Sequence, residues 1–351
     1  MTSITISREL AKEETMMRDT YCRTLIDLAR ENKEVVVLDA DLMNSMGMVP
    51  FMDEYPERTF NCGVQEANMI GIAAGLSRTG KIPYAHSFGP FATRRCFDQV
   101  FMSGAYAQSN IRIVGSDPGV TAAYNGGTHM PFEDMGIMRN VPEMTVMEPT
   151  DNAMLEDMIR QLSHVHGMYY VRLLRRFATK IYEPGSGFTI GKAVALREGS
   201  DVSIIASGIM VAEALRAAEL LAEKGVSARV LNMFTLKPID KKAVIRCAEE
   251  TGAIVTAENH NIINGLGSAV AEVLVENMPV PMERVGVQDL FGEVGPEDYL
   301  RKRFGLTPED IVNKVEKVIQ RKKSGSISNT QQGISNDQGK RAIKANRVPK
   351  G

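Results

Sequence analysis

The stretch VVVLDADLMNS, residues 35–45, is the strongest indication of the fold. Its opening run, Val35–Leu38, is short and entirely apolar, which is typical of a strand buried on both faces of a parallel sheet. Polar residues follow at once, so the loop after this strand places Asp41 and Ser45 at the carboxyl end of the sheet. In α/β proteins that edge is where ligands bind. The apolar spacing before the stretch predicts a helix over residues 15–31.

Strands and helices continue to alternate outward from this stretch. Helices are predicted over 66–76, 151–162, 211–224, 241–250 and 267–276, and strands over 111–114, 168–174, 201–206, 228–231 and 253–258. This rhythm indicates an α/β protein with two doubly wound, mostly parallel sheets. We place the domains at residues 1–184 and 185–323, because the Pro- and Gly-containing segment 183–187 between them reads as a linker.

The end of the chain differs from the rest in composition. Residues 324–351 are rich in Ser, Asn, Gln and Gly, lack aromatic residues and carry a net charge of +4, against −6 for residues 1–323. Such a segment cannot bury enough apolar surface to offset the entropy lost on ordering. We therefore expect residues 324–351 to form a disordered basic tail.

The overall composition excludes several classes of protein. The chain has 351 residues, of which 44% are hydrophobic and 24% charged, and a net charge of −2. This balance argues against nucleic acid or a membrane surface as partners. The four cysteines form no CxxC pair, and the polar opening MTSITISRELAKEE is not a secretory signal. We expect a cytoplasmic protein without a membrane span.

Five segments could carry chemistry, because they follow predicted strands or begin predicted helices. They are residues 38–45, 61–69, 86–95, 124–134 and 171–176. No Walker loop, GxGxxG loop or GxSxG elbow is present. Glu66, at the start of a predicted helix, is either a functional carboxylate or a partner of the helix dipole. The three arginines of VRLLRR indicate either an anion site or a surface ion-pair network.

Long segments of the first domain resemble the pyrimidine-binding domain of transketolases. They are GVQEANMIGIAAGLSRTGKIP at residues 63–83, SFGPF at 87–91 and GGTHMPFEDMGIMRNVPEMTVMEPTD at 126–151. Segments of the second domain are similar to the transketolase C-terminal domain. They are ASGIMVAEALRAAELLAEKG at 206–225, RVLNMFTLKPID at 229–240 and TAENHNIINGLGSAVAEVL at 256–274. The resemblance covers residues 15–320.

The resemblance implies one subunit of a two-chain enzyme that transfers a two-carbon ketol unit between sugars. Transketolases begin with a diphosphate-binding domain that carries a GDG motif, and this chain contains no GDG. An N-terminal transketolase subunit is therefore the implied partner, in an α2β2 assembly. Thiamine diphosphate would bridge the two chains, with its diphosphate and Mg²⁺ held by the partner. No metal ligand is expected in this chain.

Five positions match the family's cofactor-binding residues. Glu66 matches the glutamate that hydrogen-bonds N1′ of the aminopyrimidine and so activates the cofactor. Phe88 and Phe91 match the aromatic residues around that ring, and Arg94 lies near a further ring contact. Asp41 matches an aspartate at the cofactor and inter-subunit surface.

The substrate positions follow from the same resemblance. His129 matches a histidine that contacts substrate oxygens and helps to move protons. The positions that match the substrate phosphate site are Arg18, Ser45 and Arg175, with Arg172 and Arg176 as neighbours that could assist. A paired set of arginines is the geometry expected for a phosphate or a sulfonate.

Two departures from the family pattern concern the substrate. Asp117 replaces a histidine of the phosphate site, and Asn125 replaces an aspartate that reads a donor hydroxyl. Asp117 would repel a phosphate unless another group neutralises it, and Asn125 can donate as well as accept a hydrogen bond. They predict an atypical donor, such as a branched ketose phosphate or a sulfonated ketose, instead of xylulose 5-phosphate.

Two other interpretations stay open. One is a different thiamine enzyme, either the β-subunit of a 2-oxoacid dehydrogenase or a relative of deoxyxylulose-phosphate synthase. Arg18, Ser45 and Arg175 favour a sugar phosphate over an oxoacid. The other is a non-catalytic regulatory subunit that has kept the fold, against which the presence of Glu66 argues.

Overall fold

The computed structural model describes residues 3–324 and contains two β-sheets. The strands are β1 (Val35–Asp39), β2 (Thr59–Asn61), β3 (Ile82–Phe88), β4 (Ile111–Ser116), β5 (Thr145–Met147), β6 (Met168–Leu173), β7 (Val194–Arg197), β8 (Val202–Ala206), β9 (Ala228–Asn232), β10 (Thr235–Lys237), β11 (Ile254–Asn261) and β12 (Met282–Val287). The predicted disordered tail lies outside the described residues, apart from residue 324.

Helices cover both faces of the sheets. They are α1 (Met17–Glu31), α2 (Met43–Met46), α3 (Val49–Glu54), α4 (Glu66–Arg78), α5 (Gly89–Ala92), α6 (Phe97–Gln99, continued by a π-helix over Val100–Tyr106), α7 (Asp134–Arg139), α8 (Asn152–Leu162), α9 (Met210–Glu223), α10 (Lys241–Thr251), α11 (Leu266–Asn277) and α12 (Glu297–Arg303). Residues 308–324 are also helical. Shorter 3₁₀ turns occur at Pro56–Arg58, Arg94–Cys96 and Gly119–Asn125.

The first sheet has the strand order β10-β5-β6-β4-β3-β1-β2 and is parallel except for β10. Alternate residues of β1 point to opposite faces, as in any strand. Val35 and Val37 join the core that contains α1 and α8, whereas Val36 and Leu38 join the core beneath α4. Burial on both faces explains why the strand is an unbroken apolar run, and it confirms the predicted doubly wound α/β fold.

The second sheet has the order β12-β11-β8-β9-β7, with β7 antiparallel to β9 and the remaining neighbours parallel. The predicted division into two units missed one exchange. Strand β10 lies beyond β9 in the chain but pairs with β5 at the edge of the first sheet, Thr235 opposite Met147. The domain boundary at residues 184 and 185 stays a prediction. Among residues 3–324 there is no helix with the length and apolar character needed to cross a lipid bilayer.

Candidate active site

Four adjacent parallel strands of the first sheet bring most of the predicted residues to one edge. Asp41 follows β1, Phe88 ends β3, Asp117 follows β4 and Arg175 lies two residues beyond β6. Because β1, β3, β4 and β6 are neighbours with the same direction, their carboxyl ends meet. The structure therefore brings together loops that the sequence placed at the carboxyl ends of parallel strands, and their role in binding stays a prediction.

Glu66 is the first residue of α4 and is almost fully buried, with 1% of its surface exposed. The hydroxyl of Ser87, on β3, donates a hydrogen bond of 3.1 Å to Oε1. Arg95 Nη1 lies 3.1 Å from Oε1 and 2.9 Å from Oε2. An interaction with the dipole of α4 would not require burial or these two side-chain contacts. They therefore favour a functional carboxylate over a simple partner of the helix dipole.

Three rings form a wall beside this carboxylate. The ring centroid of His129 lies 5.6 Å from that of Phe88 and 5.1 Å from that of Phe91, and the two phenyl rings are 6.3 Å apart. The guanidinium of Arg95 lies over the face of Phe91, 3.8 Å from the ring centroid. A planar cation thus already sits between an aromatic face and the Glu66 carboxylate. This arrangement fits a planar aminopyrimidine ring, which could hydrogen-bond the carboxyl group of Glu66 and pack on the apolar face of Phe91.

The two neighbouring arginines have different partners. Arg94 donates to Glu133 Oε1 at 2.7 Å and to the carbonyl of Thr128 at 3.2 Å, so it braces the turn that carries His129. Arg95, and not Arg94, contacts Glu66. The resemblance assigned Arg94 to the cofactor and did not identify Arg95, because the spacing of the two arginines does not say which side chain turns toward α4. A contact between Arg94 and the cofactor stays a prediction.

A second cluster contains the predicted anion-binding residues. Arg18 Nη1 and Arg175 Nη1 both donate to the backbone carbonyl of Ser45, at 2.9 and 3.2 Å. Both side chains line a cavity of about 270 Å³, together with Met16, Arg176 and Phe177. Ser45 contributes its backbone carbonyl to this arrangement, and a contact between Ser45 and the substrate stays a prediction.

Asp117 compensates part of the positive charge at this cavity. One of its carboxylate oxygens lies 3.0 Å from Arg175 Nε, and the hydroxyl of Ser116 donates to the same carboxylate at 3.0 Å. Burial raises the pKa of Asp117, and the nearby guanidinium of Arg175 opposes that shift. Arg175 also lies 5.3 Å from the ring centroid of Phe88, which joins this cluster to the aromatic wall.

The remaining predicted residues lie at the rim or below it. Asp41 is exposed, has a positive φ of 66° and accepts a 3.3 Å hydrogen bond from Asn61 Nδ2. Asn125 is exposed at the end of the turn Gly119–Asn125. Arg172 is fully buried against Asp134 and Glu148, so it is closed off from the cavity and cannot assist there as its place in the sequence suggested.

Together the fold and the site define a class: two-sheet α/β proteins with a buried carboxylate and an aromatic wall at one sheet edge, beside a cavity lined by arginines. The family described as "Transketolase, pyrimidine binding domain" matches residues 13–179, and "Transketolase, C-terminal domain" matches residues 191–311. The chain belongs to the transketolase family, in which thiamine diphosphate is the cofactor.

Its relatives include proteins that are named as transketolase subunits. The 6-deoxy-6-sulfo-D-fructose transketolase subunit SqwH of Clostridium sp. (strain MSTE9) is 55% identical over 90% of this chain and 98% of that protein. One of the subunits of the apulose-4-phosphate transketolase of Phocaeicola vulgatus is 36% identical over 84% of this chain and 94% of that protein. A solved structure described as a split gene transketolase, inactive beta4 tetramer, superposes with a TM-score of 0.82 and 42% identity, covering 87% of this chain and 98% of that chain.

Proposed function

We propose that this chain is the C-terminal subunit of a two-chain transketolase whose donor is a sulfonated ketose of the 6-deoxy-6-sulfofructose type. The supporting observation is the cavity beside the aromatic wall, lined by Arg18 and Arg175, where Asp117 neutralises part of the charge of Arg175. The reaction breaks the C2–C3 bond of the ketose and leaves an aldose shorter by two carbons. The two-carbon ketol unit then bonds to the aldehyde carbon of an acceptor aldose, whose oxygen takes up a proton.

The charge of the cavity favours a sulfonate over a phosphate. A phosphate monoester carries a charge of about −1.5 to −2 at pH 7, whereas a sulfonate carries a single negative charge. The carboxylate of Asp117 lies 3.0 Å from Arg175, so it lowers the net positive charge available to a ligand there. The sulfonate, with its smaller charge, therefore loses less binding free energy than the phosphate does. The repulsion between Asp117 and the ligand thus favours the sulfonate. The high identity to the SqwH subunit supports the same donor.

The residues of the first cluster divide the remaining roles. Glu66 would hydrogen-bond N1′ of the cofactor and share a proton with it, and the rings of Phe88 and Phe91 would pack on the pyrimidine and exclude water. Thiamine diphosphate supplies the nucleophilic carbon when bound. His129, half-buried against both rings, would contact substrate oxygens and exchange protons with them.

The partner in this proposal is an N-terminal transketolase subunit that binds the diphosphate and Mg²⁺, with α2β2 as the assembly. Large apolar side chains are exposed close to the site. Val294 packs against Gly126 yet remains 67% exposed, and Tyr124 and Phe291 are 69% and 96% exposed. Exposed apolar residues grouped around a polar site are typical of a surface that another protein covers.

The proposal is tested by co-producing this chain with the diphosphate-binding subunit and measuring thiamine-dependent ketol transfer. The donors are 6-deoxy-6-sulfofructose, apulose 4-phosphate and xylulose 5-phosphate, each with ribose 5-phosphate and glyceraldehyde 3-phosphate as acceptors. We expect the highest kcat/KM with the sulfonated ketose, and no activity from the isolated chain. Fastest turnover of xylulose 5-phosphate with ribose 5-phosphate would reject the donor assignment.

Two controls separate the other interpretations. Decarboxylation of pyruvate in place of ketose cleavage would indicate a 2-oxoacid dehydrogenase subunit or a deoxyxylulose-phosphate synthase. The variant Asp117→Asn keeps the size of the side chain but removes its negative charge. We expect it to lower the KM for xylulose 5-phosphate more than the KM for the sulfonated ketose, by about tenfold if one screened charge contact is removed.

A further inference from the structure

The turn that carries Asp117 is held by a side chain from the second sheet. Asn259, on β11, is fully buried. Its Nδ2 donates to the carbonyl of Pro118 at 2.8 Å, and its Oδ1 accepts from the amide of Val120 at 3.0 Å. One amide side chain thereby satisfies a donor and an acceptor of the backbone on both sides of Gly119.

Close packing makes this contact specific. Gly119 has a positive φ of 48°, and a Cβ atom added there would lie 2.2 Å from Asn259 Oδ1. Only glycine therefore allows the turn to approach the amide this closely. Asp117 has a positive φ of 60° as well. Glycine adopts a positive φ at no steric cost, so the strain of this turn lies at Asp117, and it persists only where surrounding contacts hold it.

The geometry of Asp117 depends on that support. Its amide donates to the carbonyl of Leu173 at 3.2 Å, and its carboxylate lies against Arg175. If the turn relaxed, the carboxylate would leave the guanidinium of Arg175, and the charge of the cavity would change. Asn259 itself is buried behind the turn and is not part of the cavity lining.

We propose that Asn259 is a positioning residue for donor recognition: it holds Asp117 against Arg175 and so sets how the cavity binds the acidic end of the sugar. The inference rests on the proposed function, because it assigns the cavity to the donor. It gives the second sheet a direct part in substrate selection. Neighbouring residues of β11 contact the chain further along. Asn261 N donates to the carbonyl of Phe132 at 2.8 Å, and Gly136 N donates to His260 Nε2 at 3.3 Å.

The test compares Asn259→Ala and Asn259→Asp with the wild type in the assembled two-chain enzyme. For the sulfonated ketose we expect Asn259→Ala to raise KM about tenfold, as loss of hydrogen bonds to a strained turn would give, with kcat changed much less. For erythrulose, a neutral ketose without a distal acidic group, KM should stay within about twofold, because this donor does not use the cavity. Equal changes in KM for both donors, or none for either, would overturn the inference.

Asn259→Asp adds a second measurement, the pH dependence of KM, which a loss of stability alone would not change. A protonated carboxyl group has one donor and one acceptor, the same pattern as the amide, whereas the carboxylate would face the Pro118 carbonyl with a second acceptor. The KM for the sulfonated ketose should therefore approach the wild-type value at pH 6 and exceed it at pH 8. A ratio of variant to wild-type KM that is constant across this range contradicts the proposed contact.

Asn232 provides a matched control for folding. It is also a fully buried asparagine at a strand end of the second sheet, and its Nδ2 donates to Thr150 Oγ1 at 2.7 Å and to Tyr182 OH at 2.9 Å. Asn232→Ala should lower the unfolding midpoint as much as Asn259→Ala and leave the KM for the sulfonated ketose unchanged. Matching effects of the two variants on KM would mean that Asn259 acts on stability alone.

Binding of inorganic sulfate to the assembled complex, measured by calorimetry, separates this inference from the proposed function. We expect Asn259→Ala to weaken sulfate binding and Arg175→Met to abolish it. If the wild type transfers no ketol units but Asn259→Ala weakens sulfate binding, only the proposed function fails. If the wild type is active and Asn259→Ala leaves both KM and sulfate affinity unchanged, only the inference fails, and a wild type that neither reacts nor binds sulfate rejects both.

Discussion

Replacing Arg172 by methionine removes the guanidinium at the centre of a buried ion cluster and keeps an apolar, unbranched side chain in place of its stem. Arg172 Nε lies 2.8 Å from Asp134 Oδ2 and Nη1 lies 2.9 Å from Glu148 Oε1, and all three side chains are at most 2% exposed. Nη2 also donates to the carbonyl of Pro131 at 2.7 Å. Burial disfavours the charged guanidinium, but the two carboxylates outweigh that effect and raise the pKa of Arg172 above its usual value.

The variant leaves two buried carboxylates without their cation. Removing one partner of a buried ion pair typically costs about 3–5 kcal/mol of folding free energy, out of about 5–15 kcal/mol for a whole protein. We therefore expect Arg172→Met to lose at least about 3 kcal/mol at pH 8. The origin of this loss is electrostatic, because both carboxylates stay buried and lack a counter-charge.

The measurement is urea unfolding of the full-length chain at pH 8, analysed by linear extrapolation. Two controls accompany it. Arg172→Met combined with Asp134→Asn and Glu148→Gln should recover much of the loss, because no uncompensated charge remains. Arg30→Met removes an exposed pair with Glu54 and should change the midpoint little. A loss below about 1 kcal/mol at pH 8, or a triple variant as unstable as the single one, would mean that uncompensated buried charge does not determine the stability of the variant.

Two further predictions concern the carboxylate of the first cluster and the pH dependence of stability. Glu66→Gln in the assembled enzyme should lower kcat by about 10²–10⁴ with a small change in the KM for the donor, as steady-state kinetics would show; full activity would remove Glu66 from the mechanism. Burial lowers the pKa of His260 to about 4 and raises that of Glu258 to about 7. Relative to unfolded values of about 6.5 and 4.3, His260 costs stability as pH falls from 6.5 to 4, and Glu258 costs it as pH rises from 4.3 to 7. We therefore expect, from urea unfolding between pH 4 and 7, that His260→Gln loses the decrease in unfolding free energy toward low pH. Glu258→Gln should lose the decrease toward high pH. An unchanged pH dependence of the unfolding free energy in either variant would contradict the assignment for that residue.

Of the first sheet, the sequence predicted β1, β4 and β6, all of whose residues are buried. It predicted no strand at β2 or β5, which are three residues long, nor at β3, although six of its seven residues are buried. It also predicted no strand at β10. Its three residues, Thr235–Lys237, are too short for a periodic pattern, and the partner strand β5 lies about ninety positions earlier in the chain. Pairing over such a distance is fixed by tertiary packing, which local sequence does not express.

Within the site, the motifs identified which residues are present, while the structure decided which of them meet. VRLLRR supplies three arginines, but the strand ends after Leu173. Arg172 is therefore still inside the sheet, where Asp134, Glu148 and the carbonyl of Pro131 accept its hydrogen bonds. Arg175 lies beyond the last hydrogen-bonded pair and can turn toward Ser45 and Asp117. The position of the strand end thus places one arginine in a buried ion cluster and the other in the lining of the cavity.

The two sheets also share the support of the turn that follows β4. Asp117 and the turn after β4 carry the positive φ angles, yet the groups that hold the turn come from β11 in the second sheet. Arg172 holds the next part of the same segment through Pro131, and Glu148 in turn accepts from Ser207 after β8 at 2.8 Å. The segment from Asp117 to Asp134 is thus clamped from both sides. Substitutions at the ends of β8 and β11 should therefore alter donor recognition, although those strands contribute no residue to the cavity.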